Sequence, residues 1–117
     1  MAEEYDITIE QGATFELPIV WKDEKGTPID LTGYKARMQI RKRIRSDEIL
    51  ASLTTENGRI VLGGAAGTID IVIPATETEK FSFSRGVYDL ELESPGGYVV
   101  RLIQGSVCVS PEVTRDD

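Results

Sequence analysis

The stretch RGVYDLELESPGGYVVRLIQGSVCVSPEVT, residues 85–114, decides the fold of this chain. In residues 87–93, apolar and acidic side chains alternate, which is typical of a strand with one buried and one solvated face. Residues 94–97 (SPGG) have the turn chemistry of a proline followed by glycine. Residues 98–103 are rich in β-branched side chains. The sequence therefore predicts a β-hairpin.

Beyond the hairpin, Gly105 interrupts the apolar pattern before residues 107–109 resume it. A glycine inside a strand often marks a bulge or a bend between sheets, so we expect a separate third strand over 107–109. The hairpin is expected to supply the central strands of the sheet. The side chains that we predict to point inward from it are Tyr88, Leu90, Leu92, Val100, Leu102 and Val107.

Short apolar runs separated by turn signals continue upstream, at a spacing typical of β-sandwiches. Pro18 cannot donate to a ladder, so its strand is expected at a sheet edge or a bulge. Asn57 followed by Gly58 predicts a type I′ hairpin turn. The strands predicted in this part of the chain cover residues 5–10, 15–21, 35–44, 49–54, 59–62 and 68–73.

The chain has 117 residues, which fits a single domain over residues 1–117. We predict an all-β fold, a two-sheet immunoglobulin-like β-sandwich of about seven to nine short strands, with a small barrel as second choice. At most one short helix is expected, near residues 76–82, with Thr76 as its cap and Glu79 completing a capping box. Residues 1–6 are a possible extended arm, and residues 114–117 are expected to fray.

The amino-acid composition argues against catalytic and metal-binding chemistry. The chain contains no histidine, so the usual general base and metal ligand are missing. We expect no enzymatic activity, no metal and no cofactor, and we expect the single cysteine, Cys108, to be a small buried hydrophobe. A net charge of −7 disfavours general nucleic-acid binding.

Two further features of the sequence bear on where the protein is located in the cell. No apolar run approaches the ~20 residues of a spanning helix, so we expect no membrane contact. The acidic N-terminus lacks the apolar segment of a secretory signal, and we expect the protein to fold in a reducing cytoplasm.

The predicted strand over residues 35–44 is unusually cationic. Two interpretations are open: a contact surface for a protein partner, or cross-strand pairing with the acidic face of residues 89–93. The acidic N-terminal arm is a second candidate, since an extended segment can add to a neighbour's sheet edge. The candidate contact residues are Lys35, Arg37, Gln39, Arg41 and Arg43 on the strand, and Glu3, Glu4 and Tyr5 on the arm.

Two stretches carry a family resemblance. Residues 21–41, WKDEKGTPIDLTGYKARMQIR, contain the pattern D-x-x-G-x-P-x-D-L-T-G. The second stretch runs from residues 86–92 (GVYDLEL) through 101–107 (RLIQGSV) to 111–114 (PEVT). Together they resemble small bacteriophage and prophage virion structural proteins, and the N-terminal β-sandwich domain of siphophage baseplate upper proteins.

The resemblance implies a non-enzymatic virion component that helps attach fibres or receptor-binding proteins to a tail or baseplate. No fibre region follows residue 117, so an adaptor or accessory subunit is expected, in several copies around a symmetric tail. Its expected partners are other tail, baseplate or fibre subunits, and its expected place is the virion, after synthesis in the host bacterial cytoplasm. A capsid decoration or head–tail connector protein and a carbohydrate-binding module are the alternatives.

Overall fold

In the computed structural model, which describes residues 2–114, nine strands form two sheets that enclose an apolar core. A 3-10 turn at Gly64–Ala66 and a helix α1 at Ala75–Thr78 connect strands. The strands are β1 (Glu3–Glu4), β2 (Ile7–Glu10), β3 (Phe15–Val20), β4 (Lys35–Arg41), β5 (Ala51–Thr54), β6 (Ile60–Leu62), β7 (Thr68–Ile73), β8 (Arg85–Glu93) and β9 (Val99–Ser110).

The larger sheet has the order β1-β9-β8-β4-β5, with β2 also paired to β9, and the smaller sheet has the order β3-β7-β6. β1 and β2 run parallel to β9, whereas the other pairs are antiparallel. The chain changes sheets after β2, β3, β5 and β7, which gives the Greek-key connections of an immunoglobulin-like sandwich. The predicted fold class is confirmed. β3 lies at a sheet edge among the described strands, as Pro18 predicted.

The core follows directly from the alternation in the sequence. In β8, Tyr88, Leu90 and Leu92 are buried while the acidic residues between them are partly exposed. Burying each such side chain contributes roughly 1.5–3 kcal/mol relative to leaving it exposed. The largest fully buried side chains are Ile9, Leu31, Met38, Ile40, Leu53, Ile60, Ile69, Ile71, Ile73, Leu90, Leu92 and Val107.

The predicted hairpin is confirmed, but the separate third strand is wrong. β9 is continuous over twelve residues and passes through Gly105 without a break. The irregularity lies instead between Leu90 and Glu91 of β8, where the register with β9 shifts. Leu102 of β9 is the extra residue that forms the bulge, and it is half-buried, whereas Ile103 is buried. The inward phase of β9 therefore changes at the bulge.

That change of phase also overturns the expectation for Cys108. After the bulge, the inward positions of β9 are Ile103, Val107 and Val109, and each is buried. Cys108 lies between two of them and is exposed on the other face of the strand. The predicted buried hydrophobe is therefore an exposed thiol.

Two local predictions are corrected in the linking segments. Asn57 and Gly58 do form a turn, in which the backbone N–H groups of Thr54 and Arg59 each donate to Asn57 Oδ1 at 3.0 Å. The turn connects β5 of one sheet to β6 of the other, so the predicted hairpin is wrong. Gly58 has φ +79°, whereas Asn57 does not have the positive φ that a type I′ turn requires.

The helix is shorter than predicted and is capped differently. Helix α1 begins after Pro74, and no side chain bonds to its first backbone N–H groups, so the capping box from Thr76 is wrong. Thr78 is the anchoring residue instead, because its side chain is fully buried. Its Oγ1 donates to the Ala13 carbonyl at 2.8 Å and accepts from the Gly12 N–H at 3.1 Å.

The structure describes part of each end of the chain. Residues 3–4, considered as part of an extended arm, form a strand paired in parallel with Ile103 and Gln104. Residue 1 of that arm and residues 115–117 of the predicted frayed tail lie outside the described residues.

Candidate interaction surface

The outward face of the larger sheet carries four of the eight predicted contact residues. β4, β8 and β9 are adjacent, so alternate side chains from all three strands share this face. We call it the charged face; it consists of Lys35, Arg37, Gln39, Arg41, Asp89, Glu91, Glu93, Arg101 and Gln104.

Cross-strand ion pairs neutralise the centre of the charged face. Arg37 lies opposite Glu91, with its Nε 2.9 Å from Glu91 Oε1 and its Nη1 3.8 Å from Glu93 Oε1. The hydrogen bond that Arg37 donates to Glu91, and the charge of that carboxylate, raise the pKa of Arg37. On the other side, Arg101 Nε lies 3.6 Å from Asp89 Oδ2. This arrangement supports internal pairing of Arg37 with the acidic strand.

Arg41 has a different set of partners. Its Nε and Nη2 donate to Gln39 Oε1 at 3.1 and 2.8 Å, and its Nη1 donates to the backbone carbonyls of Ser46 and Asp47 at 2.5 and 3.1 Å. The planar guanidinium thereby holds the loop after β4 against the strand. Arg41 is an organising residue of that loop.

The strand ends at Arg41, earlier than predicted, so Arg43 lies in the loop and not on the strand face. The Arg43 N–H donates to Ser46 Oγ, and the Ser46 N–H donates to the Arg43 carbonyl, each at 3.1 Å. This turn presents residues 42–45, which we call the cationic loop. It consists of Lys42, Arg43, Ile44 and Arg45.

All four residues of the cationic loop are exposed. Within residues 2–114, no carboxylate lies within 4.0 Å of the charged groups of Lys42, Arg43 or Arg45. Ile44 is 85% exposed. Sequence analysis did not single out Lys42, Ile44 or Arg45, because the predicted strand over residues 35–44 was extended through the first two and ended before the third. The run of cations broken by one isoleucine was the available signal.

A groove of about 550 Å³ lies next to the cationic loop on the charged face. Arg41, Ile44 and Asp89 line it from one side, and Glu4 and Asp6 from the arm. Burial and the neighbouring Glu91 raise the pKa of Asp89, with cations nearby acting in the opposite direction. These groups can exchange hydrogen bonds with polar side chains of a partner.

The N-terminal arm is fastened to its own sheet. The Tyr5 N–H donates to the Gln104 carbonyl at 2.8 Å, and Gln104 Nε2 donates to Glu4 Oε1 at 3.0 Å. The Ser106 N–H donates to Asp6 Oδ1 at 2.9 Å, which lowers the pKa of Asp6. One edge of the arm is thus paired within the chain, while the side chains of Glu3, Glu4 and Tyr5 stay exposed.

Within residues 2–114, no group of three or more His, Cys, Asp or Glu side chains is placed to hold a metal ion. No helix in that part of the chain has the length and apolar character to cross a membrane. Trp21 and Tyr34 are half-buried and contact each other edge-to-face, with ring centroids 6.4 Å apart. They do not form an open aromatic platform.

Comparisons with known proteins place this chain in no family. No family model matches the sequence, and no curated protein matches it. Solved structures do match, among them the extracellular domain of the voltage-gated sodium channel beta4 subunit, described as forming parallel homodimers that explain its role in cell-cell adhesion. That match is 12% identical, has a TM-score of 0.48, and covers 97% of this chain and 96% of the other. We draw no conclusion from it.

Proposed function

We propose that this protein is a non-enzymatic structural subunit of a bacteriophage virion, an adaptor of the tail or baseplate that helps attach fibres or receptor-binding proteins. The observation that carries the proposal is that the two stretches with the family resemblance, residues 21–41 and 86–114, lie side by side in the fold. β4, at the end of residues 21–41, lies directly beside β8, and β8 lies beside β9. The two stretches therefore build one continuous part of the larger sheet.

The outward face of that same part of the sheet supports a protein partner. It combines ion-paired side chains, a groove and the cationic loop. Polar and charged groups of this kind set the register and specificity of protein contacts, and unpaired cations speed the encounter with an acidic surface. A docking role for the charged face and for Glu3, Glu4 and Tyr5 is part of the proposal.

A carbohydrate-binding role has weaker support. Sugar-binding sandwiches present exposed aromatic rings, whereas Trp21 and Tyr34 pack against the core. Tyr98, at 73% exposed, and Tyr5, at 51% exposed, are the aromatic side chains best placed for such contact within residues 2–114. A glycan array that gives no signal would remove this alternative.

The experiment that tests the proposal is protein identification on purified virions, with cryo-electron microscopy of the same particles. Density for this chain at the tail tip or fibre base is the expected result. Density on the capsid or neck would replace the adaptor role with decoration or connection. Absence of the chain from the virion would overturn the structural role altogether.

A further inference from the structure

Charge is unevenly distributed along this chain. Residues 35–45 contain six of the thirteen cationic residues and no acidic residue. The remainder has seven cations against twenty acidic residues, a formal balance of −13. One copy therefore carries a concentrated positive segment, residues 35–45, and a negatively charged surface elsewhere. The positive segment of one molecule is attracted to the negative surface of another.

Near the end of this positive segment, Ile44 forms an exposed apolar tip. Ile44 is among the most exposed large hydrophobic side chains of the described residues, at 85%. Arg41 holds the loop that presents it, through bonds to the carbonyls of Ser46 and Asp47. The tip is therefore an ordered projection, and docking it costs less conformational entropy than docking a free loop.

A complementary recess lies elsewhere on the same sheet. Tyr98 and Val99 are 73% and 45% exposed, and with Ala2 and Val100 they line a recess of about 550 Å³. Its charged members, Glu91 and Arg101, oppose each other in sign. Two further acidic residues lie beside it: Glu93 is opposite Val99 in the ladder, and Glu3 follows Ala2.

The loop and the recess cannot meet within one molecule. Glu93, opposite Val99, also lies opposite Lys35 at the start of β4, whereas the cationic loop follows Arg41 at its end. Six residue steps along a strand span about 20 Å. Ile44 and Tyr98 therefore lie towards opposite ends of the sheet, with Arg101 and Gln104 lining both the groove beside the loop and the recess.

We propose that the partner of the cationic loop is a second copy of this chain, bound head to tail. Ile44 of one copy enters the recess at Tyr98 and Val99 of the next, and the three cations around it face Glu3 and Glu93. Each copy uses two different surfaces, so the contact is heterologous and generates a ring or an open filament. This inference supplies an interface for the multi-copy assembly in the proposed function, but it concerns the isolated chain.

Other occupants fit the loop less well. Nucleic acid favours a basic domain with aromatic rings between the cations, whereas this domain is acidic and the loop has no aromatic residue. A membrane surface calls for a larger apolar face or a second anchor beside the cations, and the loop offers Ile44 alone.

The test is sedimentation analysis of the purified chain with two single variants. Ile44→Asp removes the projecting tip, and Tyr98→Lys places a cation in the recess. Wild type is expected to self-associate, with roughly tenfold weaker association when salt is raised from about 50 to about 300 mM. Each variant alone is expected to be monomeric, with an unchanged circular dichroism spectrum and melting curve because both side chains are exposed.

Mixing the variants is the decisive step. The Ile44→Asp copy keeps its recess and the Tyr98→Lys copy keeps its loop, so the mixture is expected to form a one-to-one dimer that grows no further. A wild type that is monomeric at about 1 mM in low salt overturns the proposal, as does a mixture that stays monomeric while wild type associates. Loop-dependent binding to an oligonucleotide or to anionic vesicles, without self-association, would assign the loop to those ligands instead. Finding the chain absent from virions would leave this interface standing.

Discussion

Tyr88 donates its phenolic hydroxyl to the backbone carbonyl of Tyr5, and so ties the first strand of the chain to the centre of the larger sheet. The Tyr88 ring is buried and the bond itself is partly shielded from water. Tyr88→Phe keeps the ring and removes the donor. We expect a loss of about 1–3 kcal/mol of unfolding free energy, since a shielded carbonyl is left without its partner.

Urea denaturation measures that loss, and amide hydrogen exchange locates it. Exchange at Tyr5 and Ser106 should accelerate in Tyr88→Phe, because both amides hold the arm on β9. Tyr34→Phe is the matched control, with no expected change at either amide. Equal exchange rates in wild type and Tyr88→Phe would contradict the role of Tyr88 as a fastening residue.

The same bond predicts an alkaline pH dependence. Burial, and then the nearby charges of the arm, raise the pKa of Tyr88 above its ordinary value of 10.0. A raised folded-state pKa means that the stabilisation is complete below pH 10.0 and declines as pH rises beyond it. Wild type should therefore lose stability more steeply than Tyr88→Phe above pH 10.0, measured by urea denaturation at a series of pH values.

Gly105 is required because the arm passes close to β9. A Cβ at this position would lie 2.3 Å from the Tyr5 carbonyl oxygen, a backbone atom that has little room to move. Gly105→Ala is expected to cost about 1–3 kcal/mol or to detach the arm. Thermal melting measures the cost. Gly96→Ala is the control, because its Cβ would come no closer than 3.9 Å to Ser94 Oγ; an equal effect at both glycines would refute the close-approach argument.

Thr78 and Thr76 lie in the same short helix but differ in burial. Thr78 is fully buried and bonds to the backbone of Gly12 and Ala13, so Thr78→Val should cost about 2 kcal/mol of unfolding free energy. Thr76 is exposed and caps nothing, so Thr76→Val should change stability by less than about 0.5 kcal/mol. Chemical denaturation of the two variants separates these outcomes, and a larger cost at Thr76 would restore the capping box.

Substitutions of Arg37 and Arg43 should distinguish an effect on stability from an effect on docking. Arg37→Glu places a third carboxylate beside Glu91 and Glu93 and is expected to cost about 1 kcal/mol, a modest figure because the Arg37 side chain is 53% exposed. Arg43→Glu changes an exposed loop cation and should leave the unfolding free energy within about 0.5 kcal/mol of wild type. Denaturation curves of both variants check the contrast.

Incorporation into particles is the second measurement on this pair. If the cationic loop docks, Arg43→Glu should reduce the amount of this chain in purified virions, although its fold is intact. Normal incorporation of Arg43→Glu, together with a destabilised Arg37→Glu, would leave the cations with a purely internal role.

The cationic strand illustrates where prediction from sequence stops. Alternation placed Lys35, Arg37, Gln39 and Arg41 on one face, and the structure confirms that grouping. Which of these side chains is neutralised depends on the strand next to β4, because Arg37 pairs with Glu91 and Glu93 of that strand. That neighbour, β8, is more than forty residues away in the chain, so the sequence could offer its acidic face only as one of two interpretations, and the observed pairing decided between them.

Period-two alternation and turn chemistry, which are local properties, determined that this chain is a β-sandwich and which side chains of β4 and β8 face inward. Only the tertiary structure decided the long-range details. The bulge at Leu102 reverses the phase of β9 and exposes Cys108, and the carbonyl of Tyr5 explains the glycine at 105. The bulge and the close approach at Gly105 both depend on contacts between strands that are distant in sequence. Packing across the sheet sets the register and the spacing of such strands, so neither feature leaves a local signal in the sequence.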